Sequence, residues 1–103
     1  MTRRRLPDRR RSSTTKVRCG RFTAYIGVGT FNDGTIGEVW IDVSKAGTDL
    51  KAMGHAFALT TSIALQHGAS VTEIADALKE IDADIPRAVA RQLVANDRER
   101  TGT

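Results

Sequence analysis

A chain of 103 residues with 40% hydrophobic content has material for one modest core, hence one domain, and its only cysteine, Cys19, excludes an intrachain disulfide or a thiolate cage for zinc. Charge is segregated: residues 1–21 carry nine Arg and Lys against Asp8, a net +8, whereas the remainder carries seven against eleven acids, a net −4. The longest uncharged stretch, residues 52–72, is broken by Gly, His, Gln, Ser and Thr, and no apolar run follows the first arginines, so neither a membrane span nor a secretory leader is expected and a cytoplasmic location is.

Residues 1–14 hold two arginine triplets, Pro7 and a Ser-Ser-Thr tract with little to bury, and read as a flexible basic arm. A short strand at residues 15–19 then leads through Gly20 into a run with period two. There Phe22, Ala24, Ile26 and Val28 share one face, and Thr23, Tyr25, Gly27 and Gly29 share the other. Phe31-Asn32-Asp33-Gly34 supplies a hairpin turn. The returning strand, residues 37–43, turns Val39, Ile41 and Val43 to the core and Glu38, Trp40 and Asp42 away.

Ser44 to Asp49 is a polar turn in which Thr48 or Asp49 can cap a following helix. Leu50, Met53, Phe57, Thr61, Ala64 and Leu65 recur at helical spacing, the small Gly54, Ala58 and Thr61 broaden that face and would let another element pack closely, and Gly68 ends the run. His55 and His67 both fall on this helix about 120° apart, which argues against joint metal ligation. Ser70-Val71-Thr72-Glu73 matches a capping box and opens a helix over residues 72–80. A third helix, residues 85–96, admits Pro86 in its first turn. The whole is expected to be α+β: an antiparallel three-stranded meander followed by two or three helices packed on one face. Residues 15–96 form the single domain and residues 97–103 a polar tail.

The order of motifs resembles a known family. Arg4-Arg5-Leu6-Pro7, Arg10-Arg11-Ser12, Thr15-Lys16-Val17, Ala24-Tyr25-Ile26-Gly27-Val28-Gly29, Asp33-Gly34, Gly37-Glu38-Val39-Trp40-Ile41, Ser44-Lys45-Ala46-Gly47-Thr48 and Ser62-Ile63-Ala64-Leu65-Gln66-His67-Gly68 together look like the C-terminal region of cobalamin-dependent (class II) ribonucleotide reductases, which is related to the TSCPD domain. The similarity spans roughly residues 3–80 and implies a shared fold and an association with nucleotide metabolism. The radical chemistry of those enzymes belongs to a large barrel that precedes this region, and their relay cysteines have no counterpart here. No catalytic residue, cofactor or metal is therefore implied.

Several features could carry binding. Tyr25 and Trp40 point away from the core face, where they can stack bases or be covered by a helix or a second subunit; the covered arrangement is favoured and makes them partner-binding candidates. Arg3, Arg4, Arg5, Arg9, Arg10, Arg11 and Lys16 could neutralise nucleic-acid phosphates. Lys45, Gly47 and Thr48 lead into a helix N-terminus and could hold an anion, though a simple capped turn explains them as well. Cys19 has no neighbouring histidine and reads as packing rather than a nucleophile. The acidic residues 80–84 argue against reading the last two helices as a DNA-docking motif. The expected function is that of a non-catalytic module acting by protein–protein contact, as a homodimer or on a larger enzyme such as a reductase. A nucleic-acid-binding protein using its basic arm is the alternative.

Overall fold

The computed structural model describes residues 2–101. β1 (Ser12–Cys19), β2 (Phe22–Thr30) and β3 (Ile36–Ser44) form one antiparallel sheet in the order β1-β2-β3, and α1 (Thr48–Gln66), α2 (Val71–Lys79) and α3 (Asp84–Thr101) follow. This is the α+β arrangement read from the sequence, with some boundaries moved. β1 starts at Ser12 rather than Thr15, because its ladder with β2 continues to Ser12 opposite Gly29. α3 continues to Thr101, so that part of the expected polar tail is helical, while Gly102 and Thr103 lie outside the described residues.

The turns use the backbone freedom their residues supply. Gly20 takes φ +59° between the paired Cys19 and Phe22. In the second hairpin the Phe31 amide donates to the Thr35 carbonyl at 2.8 Å, and the Asp33 carboxylate accepts from both the amide and the hydroxyl of Thr35. Gly68, at φ +96°, ends α1 as its amide donates to Leu65 and that of Ala69 to Ala64, the paired bonds of a Schellman motif. The Ser70 hydroxyl caps α2 by accepting from the Glu73 amide.

Ile26, Val28, Val39, Ile41 and Val43 form the sheet side of the core, against Ala58 and Leu65 of α1, Ala75 and Leu78 of α2, and Ala88, Val89 and Leu93 of α3. α1 presents most of the stripe expected of it, with Leu50 and Phe57 packed against the core, and departs from it at Met53. Gly54, Ala58, Thr61, Ser62 and Leu65 are buried, whereas Met53 is 67% exposed and Phe57 half-buried. The reason is that α1 packs along the edge of β3, where small residues allow close approach: a Cβ on Gly54 would sit 3.6 Å from Ile41. The Ser62 hydroxyl accepts from the Val39 amide at 2.8 Å and lies 3.0 Å from the Val39 carbonyl, and the Gln66 side-chain amide donates to the Gly37 carbonyl. The Gly37 and Val39 groups on the β3 edge are thereby satisfied.

The segment expected as a free arm is also tied down. The Arg4 amide donates to the Gln66 carbonyl at 2.7 Å, the Arg4 guanidinium lies 3.8 Å over the Phe31 ring while bonding Asp33 and Thr35, and Leu6 packs beside Gly37. Phe31, placed in the turn by its neighbours in sequence, is 5% exposed beneath this segment.

Candidate functional site

The face of the sheet turned away from the core carries Ser12, Thr14, Lys16 and Arg18 from β1, Thr23, Tyr25, Gly27 and Gly29 from β2, and Glu38, Trp40 and Asp42 from β3. Cross-strand pairing sets Thr14, Gly27 and Trp40 in one row and Lys16, Tyr25 and Asp42 in the next. The Trp40 ring lies over Gly27, where a Cβ would fall 1.7 Å from the ring. Only glycine admits that overlap. Tyr25 is 36% exposed, and the core contacts of all three helices are made on the opposite face. The structure thus brings Tyr25 and Trp40 together on one sheet face with Lys16 beside them.

The basic residues divide into two sets. Arg3 donates to the Gln66 side chain at 2.5 Å, Arg4 holds Asp33, and Arg10 makes a bidentate pair with Glu38 at 2.7 and 3.0 Å. Arg5, Arg9, Arg11, Lys16, Arg18 and Arg21 are exposed, and their side chains have no bonded partner among the described residues. An open groove of about 500 Å³ separates the arm from β3 and α1, with Arg5, Arg10, Trp40, His55 and Leu59 on its walls.

The loop before α1 differs from its sequence reading. Gly47, not Thr48 or Asp49, is the N-cap, and no side chain caps the helix; Thr48 is its first residue. Lys45 has φ +58°, and Asp49 lies in the first turn of α1. Cys19 is buried, and burial pushes its thiol up, with Asp84 adding to the shift, so the thiolate is disfavoured. Among the described residues no group of three or more His, Cys, Asp and Glu could hold a metal ion, and no helix is long and apolar enough to cross a membrane.

The sequence profile of the TSCPD domain matches residues 1–96. The chain belongs to the TSCPD domain family. Among curated proteins, this TSCPD domain is 40% identical over 75 residues to a vitamin B12-dependent ribonucleotide reductase of Agrobacterium fabrum and 37% identical over 75 residues to one of Bradyrhizobium diazoefficiens, covering 73% of this chain and 6% of each enzyme. It is 36% identical over 66 residues to that of Streptomyces coelicolor, covering 64% of this chain and 7% of the enzyme. The domain thus spans only a small fraction of the relatives it matches. No solved structure shows a significant match.

Sequence reasoning placed Tyr25 and Trp40 on a common face but overlooked Gly27 beneath the ring and Arg18 next to Lys16. Strand parity held the signal for both, since Gly27 pairs with Trp40 and Arg18 stands two residues from Lys16 on the same side.

Proposed function

We propose that this TSCPD domain is a non-catalytic module that works in the cytoplasm by protein–protein contact, docking through the outer face of its sheet with Tyr25 and Trp40 as anchors. The partner is a second copy or a larger polypeptide such as a reductase. One observation carries this proposal: a half-exposed tyrosine and a tryptophan laid over glycine share a sheet face opposite the helices. That the family's domain forms a small part of much larger reductases supports the same conclusion.

Light scattering of the full chain, with pull-down using a reductase polypeptide, tests it. Trp40 stands outside the core cluster. Trp40→Ala is expected to weaken association by about 2 kcal/mol, as an interface aromatic does, at a cost to monomer stability of about 1 kcal/mol, as a cross-strand contact does. Retained association in a folded Trp40→Ala variant would remove the sheet face from consideration. The nucleic-acid alternative keeps Arg5, Arg9, Arg11 and Lys16 as cations without side-chain partners among the described residues, while Arg3, Arg4 and Arg10 are engaged within the domain. Filter binding at two salt concentrations distinguishes it, since phosphate neutralisation fails steeply as salt rises.

A further inference from the structure

The two edges of the sheet differ. The Thr30 amide donates to the Arg11 carbonyl at 3.0 Å, so the odd-numbered residues along β1 bond β2, and the amides and carbonyls of Ser12, Thr14, Lys16 and Arg18 point away from the sheet. On β3 the Gly37 carbonyl is taken by Gln66, and the amide and carbonyl of Val39 by Ser62. No described residue does the same for β1. The hydrogen bonds joining it to α3 run from the Ser13 and Thr15 side chains on the core face, and Ser12, Thr14, Lys16 and Arg18 are all exposed.

We propose that this open edge is the docking site for an extended acidic segment of a protein partner, which adds a fourth strand beside β1. The inference rests on the protein-contact proposal above and adds to it the place and chemistry of the contact. An unpaired strand edge is a row of alternating donors and acceptors, and another extended backbone matches it. Charge selects the occupant. Arg9 and Arg11 stand at one end of the edge, Lys16 and Arg18 along it and Arg21 in the hairpin at the other end, all exposed and without side-chain partners among the described residues. Lys16 and Arg18 project to the face that carries Tyr25, so every second side chain of an added strand meets them. Carboxylates at those positions are attracted. A second copy of β1 would set one cationic row against another, which is destabilising.

The test uses the full chain and two labelled octapeptides, one alternating glutamate and threonine and the other lysine and threonine, read by fluorescence anisotropy and by amide shifts in NMR. The glutamate peptide is expected to bind saturably and about tenfold or more tighter than the lysine peptide, as charge complementarity selects partners. The largest shifts should fall on the amides of Ser12, Thr14, Lys16 and Arg18 rather than on those of Ser13, Thr15 and Val17. Lys16→Pro removes an outward donor without touching the ladder to β2, and should abolish binding. A Lys16→Glu, Arg18→Glu double variant, which needs no backbone change, should reverse the peptide preference. Equal binding of both peptides, shifts confined to residues outside β1, a single-stranded oligonucleotide displacing the glutamate peptide, or a dimer formed through β1 without peptide would each overturn the proposal. Failure here is separable from failure of the sheet face. Loss of peptide binding in Lys16→Pro but not in Trp40→Ala supports the edge, and loss in Trp40→Ala but not in Lys16→Pro sinks the edge while leaving the face.

Discussion

At the scale of single residues, glycines and one carboxylate determine how the outer surface is shaped. Gly27 holds the Trp40 ring flat against the strand, and any side chain there must drive the ring outward. Gly27→Ala is therefore expected to expose the indole, seen as a red shift of Trp40 emission, the only tryptophan in the chain. Partner binding should fall with it if Trp40 is the anchor. Asp33 lies well below the usual carboxylate range, at about 2, held there first by the Thr35 hydroxyl and then by the Thr35 amide, with Arg4 contributing less. A depressed folded value stabilises the fold above the ordinary carboxylate range and loses that contribution as pH falls through about 2. Thermal unfolding of wild type and Asp33→Asn should thus differ at neutral pH and converge in acid. The turn around Asp33 was legible because Asn, Asp and Gly favour turns for local reasons. The burial of Phe31 was not, since its cover, Arg4, comes from a segment 27 positions earlier in the chain.

At the scale of elements, the strands were legible and so was most of α1, Met53 excepted. Period two on β2 and β3 names the core face without reference to anything else, and Ile26, Val28, Val39, Ile41 and Val43 are all buried there. On α1 the small Gly54, Ala58 and Thr61 read as residues that allow close packing, and all three are buried. Ser62 escapes such a reading and Met53 enters it because a polar side chain that bonds a strand edge carries no hydrophobic signal, whereas Met53 does. The Ser62 hydroxyl serves both the amide and the carbonyl of Val39, its single proton shared with the Ala58 carbonyl. Ser62→Ala leaves those edge groups buried and unpaired, and should cost about 1–3 kcal/mol in urea unfolding. Gly54→Ala acts in the opposite sense. Its new methyl meets Ile41 and Val43 at 3.6 and 3.8 Å, ordinary contact distances, and helix propensity alone favours it by about 1 kcal/mol.

At the scale of the whole molecule, the basic segment belongs to the folded body in a way that composition conceals. Local composition describes residues 1–14 as too polar to order by themselves. Its order comes from distant partners: Gln66 at the end of α1, Phe31 and Asp33 in the hairpin, and Glu38 on β3. The family profile also takes in this segment, since its match begins at residue 1. Removing residues 1–10 should therefore destabilise the domain, although the residues lost are mostly charged. The cation–π contact of Arg4 contributes about 0.5–1 kcal/mol. The ion pairs to Asp33 and Glu38 are partly exposed, and such pairs contribute up to about 1 kcal/mol each before screening by salt. Leu6 shields Gly37 and its departure opens the Phe31 ring to water. A loss of about 2 kcal/mol corresponds to a fall in Tm of roughly 8–16 °C for a domain of this size. Thermal unfolding of the full chain against a variant beginning at Arg11 measures it. Added salt should narrow the gap by weakening the ion pairs, and the part that persists at high salt reports the packing of Leu6 and Arg4 on Phe31. An unchanged Tm would mean that the arm adds charge to the surface but no stability to the fold.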